Sequence, residues 1–329
     1  MAEAEIAALT ASHRIAQSRL GARVAAGVMA DWQAMVRPGA PAVSAGRWVD
    51  ASLGRIRPAR GASEQLTVSY TRLHRALSTG HTLPPIGPGP ATRRTTVGAL
   101  RRDWAHTAGE RYRPTPGDQR PVVVDDFDWP ELDEQAMDDA ARTSLWVTGP
   151  VHAEQRLDQA EEDRGRGRLD DAGFLAELDD LMQDSAATAG GAADREVLRG
   201  GRSMSEESAR RDTRVIGWAR VTDLDPCAFC AMLASRGAVY KSRSSAGLAG
   251  GAPVSLDDLT KYHDLCHCQI VPVYDRDGWV PSGSEAWRDL WQDATDGRTG
   301  ADARRAFARA VAHRRRTTRR RGLPTTRRS

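Results

Sequence analysis

All four cysteines of this chain sit in two tight pairs. "DPCAFCAMLASRG" (225–237) carries Cys227 and Cys230, and "YHDLCHCQIVPVY" (262–274) carries Cys266 and Cys268. Thiols confined to a C-x2-C turn and a later C-x-C restrict the fold more than any other feature, because they tie two distant stretches together. Zinc takes about four thiolate or imidazole ligands at 2.0–2.3 Å, and a C-x2-C turn presents two sulfurs at a suitable separation. With His263 and His267, six donors compete for four places. The sensible sets are Cys227, Cys230 and Cys268 with either Cys266 or His263. His267 points away if its two neighbours point inward along a strand.

Other uses of the thiols fit less well. A disulfide is disfavoured in a reducing cytosol, although an assembled particle outside the cell could oxidise. A thioredoxin-like pair wants a βαβ setting that is missing around Cys227. "PCAFC" matches half of the zinc-deaminase signature, but its H-x-E half is not close by: the nearest upstream histidine, in His152-Ala153-Glu154, lies too far from Pro226. The expectation is a closed structural Zn2+ site. A unit of about 60 residues with a Ser/Gly loop in its middle buries little surface. A metal cross-link between its ends adds stabilisation on the order of ten kcal/mol, so loss of Cys227 is expected to unfold the unit.

The rest of the chain reads as mostly helical. Ile6, Leu9, Ile15, Leu20, Val24, Val28, Trp32 and Val36 recur at three-to-five-residue spacing, an apolar stripe that ends at "RPGAP" (37–41). Helical patterns follow over 44–57 and 62–79, then a Pro/Gly connector over 82–96 and a short helix over 97–112 around Leu100 and Trp104. The acidic stretch 125–139 reads as the solvated face of a helix that starts near Pro130 and stops at Gly149-Pro150. Helix continues over 151–199, with interruptions at Gly165, Gly167 and "AGGAA" (189–193). From Arg214 the pattern turns α+β: β-like "RVIGWARVTD", a helical turn closed by Gly237, strand-like "AVYKS", a Ser/Gly loop (242–253), a capping box at Ser255 and Asp258, and strand-like "CQIVPVYD". Trp279, Trp287 and Trp291 read as packing for the last helices, the final one spanning 302–313.

The expected class is therefore α+β, mostly α. An extended N-terminal helical region (1–81) leads through the linker 82–96 to a central helical region (97–213). A zinc-stapled Cys/His module (214–276), C-terminal helices (277–313) and a disordered basic tail (314–329) follow. No run of eighteen apolar residues marks a membrane span, and the N-terminus lacks the order of a signal peptide, so a cytosolic origin is expected. The 47 basic and 44 acidic residues are unevenly placed: 301–329 holds eleven Arg and one acid, about +10, leaving about −7 for residues 1–300. Only Lys241 and Lys261 are lysines, which fits a GC-rich genome. The Arg-rich tail has two readings: non-specific binding of packaged DNA through phosphates, or a solvated tail.

"GWARVTDLDPCAFCAMLASRGAVY" (217–240) with "YHDLCHCQIVPVY" resembles the C-terminal module of Mu F-like minor head proteins of tailed phages, in the form found in phages of actinobacteria. "SLWVTGP" (144–150) and "GGR" (200–202) resemble the same group, so the likeness spans roughly 140–275. It implies a low-copy, non-enzymatic component of the virion head, made in the host cytoplasm and incorporated near the portal. There it would support head assembly and DNA packaging or ejection, with the portal protein as partner and a scaffold or major capsid protein as further candidates. The family pattern H-x-x-C-x-C after C-x-x-C falls on Cys227, Cys230, His263, Cys266 and Cys268. Some relatives carry a protease or toxin domain, so a head-maturation protease or another zinc-dependent enzyme is the alternative. No G-x-S-x-G or H-E-x-x-H motif is present, and His81 and His106 lie in polar surroundings expected to be solvent-exposed.

Overall fold

The computed structural model describes residues 2–87, 93–223, 225–240, 262–264, 266–275 and 283–320. It is mostly α, of the α+β class, with two small three-stranded sheets. The helices are α1 (Ala2–Met35), α2 (Pro41–Ser44), α3 (Gly46–Thr79), α4 (Val97–Ala108), α5 (Glu134–Trp146), α6 (His152–Gly165), α7 (Asp171–Arg211), α8 (Ala228–Ala234), α9 (Ser284–Thr295) and α10 (Gly300–Arg320). The strands are β1 (His81–Thr82), β2 (Arg94–Thr96), β3 (Pro121–Val124), β4 (Gly217–Val221), β5 (Ala238–Tyr240) and β6 (Gln269–Val273).

Three long helices, α1, α3 and α7, pack on one another and form the frame. One core joins Val24, Val28 and Trp32 of α1, Trp48, Leu53 and Ile56 of α3, Leu145 of α5, and Leu181 and Val197 of α7. Trp32 and Trp48 meet edge to face with ring centroids 4.9 Å apart, the geometry their quadrupoles favour. The Trp48 indole N–H donates to the Val28 carbonyl at 3.0 Å. A second core joins Ile6 and Leu9, the C-terminal half of α3, and Leu100 and Trp104 of α4. It continues through Val122 of β3 into Ala219, Val271 and Val273 of the second sheet. The Cys/His strands therefore lie directly on the N-terminal helices.

The stripe of α1 differs from its apolar reading. Ile15 is exposed, and Thr10, His13 and Gln17 take the buried places between Leu9 and Leu20. Gln17 donates to the Ser63 carbonyl at 2.9 Å and accepts from the Ser63 hydroxyl at 2.7 Å, and His13 stacks on Tyr70 at 4.3 Å. Burial holds the His13 and His74 imidazoles down at about 3, so both are neutral.

Several expected breaks are absent. The patterns 44–57 and 62–79 are one helix, α3, which runs through Pro58. Buried Leu53, Ile56, Ala59 and Arg60 pack on both sides of Pro58, and that tertiary burial outweighs its missing N–H. Gly149-Pro150 does not stop α5. The chain widens into a π-turn over Val147–Val151 and enters α6 directly. A Cβ on Gly149 would lie 2.9 Å from both Trp32 and Trp48, so glycine is required by close approach rather than as a terminator. Likewise "AGGAA" (189–193) is fully buried inside α7, where a Cβ on Gly190 would meet Met29 at 2.9 Å.

The connector 82–96 begins in β1 and ends in β2. Both pair with β3, β1 in parallel and β2 antiparallel, in the order β1-β3-β2. Thr96 caps α4 by accepting from Ala99 N at 3.2 Å, and Gly109 closes it at φ +65. Helix α5 starts at Glu134 under the Asp133 cap rather than near Pro130. Nor is its acidic approach merely solvated. Glu134 and Asp138 pair with the fully buried Arg60 at 3.2 and 2.9 Å. Asp125 pairs with Arg75 at 2.8 Å, with Arg214 at 2.9 Å and with His81 Nδ1 at 2.8 Å. His81 is thus half-buried, whereas His106 is exposed.

In the second sheet β4 lies between β5 and β6, antiparallel to both, with Trp218 opposite Val239 and Pro272. Pro272 is tolerated because, among the described residues, β6 is an edge strand. Trp287 and Phe307 cover α8 with Val311, and Trp291 packs on Phe307 at 4.9 Å, so both of these tryptophans are packing residues. Helix α10 continues through Arg320, seven residues into the stretch expected to be disordered. Arg is a good helix former, Arg314 lies over the Trp287 ring at 4.5 Å, and Arg315 pairs with Asp225. The loop 242–253, the capping box at 255 and 258, Trp279 and the last nine residues lie outside the described residues.

Candidate metal centre

The centre forms where the N-terminus of α8 meets the segment entering β6. Cys227 is the N-cap of α8, and its sulfur accepts the Cys230 backbone N–H at 3.4 Å. That bond favours the thiolate and fixes the turn. Cys266 and Cys268 flank His267 just before β6, and both thiols join one cluster while the His267 ring lies beside Asp194. Cys230, Cys266 and Cys268 are buried and Cys227 is partly buried. The donor atoms form two overlapping groups, Cys227–Cys230–His263 and Cys230–Cys266–Cys268, and within each they lie within 4.8 Å of one another. Cys230 belongs to both.

All five expected donors are therefore brought together, and His267 is not among them. Its Nε2 lies 3.4 Å from Asp194 Oδ2 on α7. The Cys230 and Cys266 sulfurs are 3.5 Å apart, close to the roughly 3.8 Å that two sulfurs at 2.3 Å from a tetrahedral zinc would show. His263 is exposed, and its Nδ1–H donates to the Asp264 carbonyl at 2.7 Å. That bond leaves Nε2 as a lone pair for a metal when the ring is neutral, or as an N–H donor to a thiolate when it is protonated. A buried set of soft sulfur donors with one imidazole suits zinc better than a hard, oxygen-seeking cation. The residues present fit a four-coordinate metal.

The electrostatics point the same way. Hydrogen bonding to the Cys230 thiol and then to His263 holds Cys227 down at about 4, against the pull of burial. The Cys227 contact lifts His263 to about 9. Hydrogen bonds from Cys230 and Cys268, aided by Arg202 and Arg220, hold Cys266 well below the usual thiol range. Bonding to these neighbours raises Cys230. These contacts favour the thiolate at Cys227 and Cys266, the form that a metal takes.

Two arginines that the Arg-rich composition concealed serve this centre. Arg220 of β4 is 1% exposed, and its guanidinium lies 3.2 Å from Cys230 Sγ and 3.7 Å from Cys266 Sγ. Arg202 of α7 donates to the carbonyls of Cys266 and Cys268. Both guanidiniums stack over Tyr262, at 4.1 and 3.7 Å from the ring centroid. Arg195 pairs with Asp264, so α7 grips the Cys/His segment at three points: Asp194, Arg195 and Arg202. The "GGR" triplet explains how α7 does so. A Cβ on Gly200 would lie 2.8 Å from the Arg60 carbonyl, and one on Gly201 would lie 2.6 Å from Ser63 Oγ. The two glycines seat α7 against α3 while the next residue reaches the thiol centre.

Residues 149–294 match the family described as VG15 protein, a span that starts at the π-turn and includes every donor. The chain is also similar to the gene 15 protein of Mycobacterium phage D29. The two are 35% identical over 123 residues, which cover 30% of this chain and 45% of that protein. Its likeness to the gene 15 protein of Mycobacterium phage L5 is 35% over 111 residues, 25% of this chain and 37% of the relative. The chain thus spans less than half the length of each of these relatives. No solved structure matches it. These relatives are phage proteins, and the family match takes in the module that holds the thiols.

Proposed function

We propose that this chain is a non-enzymatic minor component of the head of a tailed phage, of the Mu F-like kind. It is held near the portal and supports head assembly and DNA packaging or ejection. The observation that carries this reading is the similarity to phage gene 15 proteins, together with a VG15 family match over 149–294 that takes in the metal centre and the α7 residues that grip it. The centre acts as a staple. Zinc bound there would neutralise the thiolates and lock α8 to the segment entering β6. Cys227, Cys230, Cys266 and Cys268 supply the four places, because three of them are buried and the exposed His263 sits on the Cys227 side. His263 then donates to the Cys227 sulfur, while Arg220 offsets the excess negative charge of a four-thiolate site. The portal protein is the proposed partner, with scaffold or major capsid protein as further contacts during assembly in the host cytoplasm.

Mass spectrometry of purified virions and of emptied heads provides the test. The chain should be recovered in heads at a few copies per portal ring and should co-purify with portal protein. Absence from virions, or hydrolysis of a head protein by the purified chain, would refute the assignment.

A further inference from the structure

The solvent side of α10 carries a row of arginines that the metal centre does not use. Ala303, Ala306, Phe307 and Val311 are buried on α8 and α9. On the opposite side Arg305, Arg309 and Arg316 are exposed. At 3.6 residues per turn these three fall within an arc of about 40°. They are spaced about 6 and 10.5 Å along the axis at 1.5 Å per residue. His313 lies on the same side and is exposed. Arg305 pairs with Asp302, but both side chains are largely in solvent, at 66% and 74% exposure, so another anion can take that place.

We infer that this face of α10 binds the phosphate backbone of double-stranded DNA without reading its sequence. The inference rests on the phage reading for the source of the polyanion. It differs from binding by a disordered tail, because the arginines are held on a rigid helix whose other face is docked. Charge complementarity favours DNA: residues 301–329 carry about +10 while residues 1–300 carry about −7. Composition argues against a protein partner. The exposed residues of α10 from 301 to 318 are Arg, His, Asp and Ala, with no apolar side chain larger than Ala. Protein interfaces are anchored by buried aromatic and aliphatic groups, whereas phosphate contacts need only placed charge.

The test measures binding of the full chain to a random-sequence 30-base-pair duplex by fluorescence anisotropy across 50–200 mM salt. The comparison is with an R305Q/R309Q/R316Q variant and a charge-matched control, R23Q/R37Q/R47Q, whose arginines are exposed on α1 and near α2. Loss of three phosphate contacts should flatten the slope of log K against log salt by about 2.7. The control should keep the wild-type slope, and circular dichroism should show all three proteins equally folded. An unchanged slope in the α10 variant, or equal losses in both variants, would overturn the inference. Tighter binding to polyglutamate than to the duplex would overturn it too, by identifying an acidic protein surface as the partner. Failure here leaves the head assignment to its own virion test.

Discussion

Gly200→Ala puts a methyl group where α7 crosses α3. Its Cβ would stand 2.6 Å from Arg60 Cγ, 2.8 Å from the Arg60 carbonyl oxygen and 2.8 Å from Glu64 Oε1. One of these neighbours is backbone and cannot rotate away, so the helices must part locally by about 0.6 Å to restore ordinary contact. Arg60 is fully buried and held by Glu134, Asp138 and the Met137 carbonyl, so displacing it strains an ion-paired network. Overpacking of this kind costs about 1–3 kcal/mol, and the helix propensity of Ala returns about 1 kcal/mol. Gly61→Ala is the reference. It lies inside α3 with nothing within 4 Å of the added Cβ, so it should gain close to the full propensity term. At about 2–4 °C per kcal/mol, thermal unfolding followed by circular dichroism should place Gly61→Ala above wild type and Gly200→Ala level with it or below. The gap between the two should be about 2–12 °C. A Gly200→Ala midpoint as high as that of Gly61→Ala would refute the close crossing, and with it the account of how α7 reaches the thiols.

Glu64 tests a buried charge. Burial first, then the charge of Glu134 and a hydrogen bond to it, raise the Glu64 carboxyl to about 7, with Arg60 opposing. A raised carboxyl contributes stability that is fully present below its ordinary value near 4.5 and is lost as pH rises through 7. Glu64→Gln mimics the protonated form, so it should match wild type at pH 4 and exceed it by about 1 kcal/mol at pH 8, a half-buried site being partly screened. Equal denaturant midpoints at pH 8 would count against this. Arg220→Met leaves buried thiolates without a cation beside Cys230 and Cys266. Breaking a buried pair costs about 3–5 kcal/mol, so the variant should release zinc at chelator concentrations that wild type withstands, and unchanged resistance would sink the charge-offset role.

Much of the centre was legible because metal ligation constrains residue type and spacing together. Cys227, Cys230, His263, Cys266 and Cys268 converge, and His267 stays outside the cluster, as alternation across the C-x-C predicts. The supporting residues were hidden because arginine is abundant in this chain. Nothing local separates buried Arg60, Arg75 and Arg220, or half-buried Arg202, from the exposed Arg305 or Arg309. Helix existence was legible from apolar spacing, but glycine and proline misled. At Gly149, Gly190 and Gly200 the missing side chain answers to another helix, a non-local requirement that resembles a break in one dimension. His13 and Gln17 interrupted the apolar period of α1 for the same reason, since their partners Ser63, Thr67 and Tyr70 lie on α3. The order of 314–320 followed from docking contacts to Trp287 and Asp225 that the sequence alone did not reveal.

The central claim is that the four thiols form one structural metal site. Metal analysis of the chain purified without added zinc, combined with thiol titration before and after chelation, tests it most directly. The account predicts one zinc per chain, thiols silent until the metal is removed, and a Cys227→Ser protein that loses both the zinc and the folded 214–276 unit. A metal-free chain whose four thiols titrate at once while its unfolding midpoint is unchanged would contradict it.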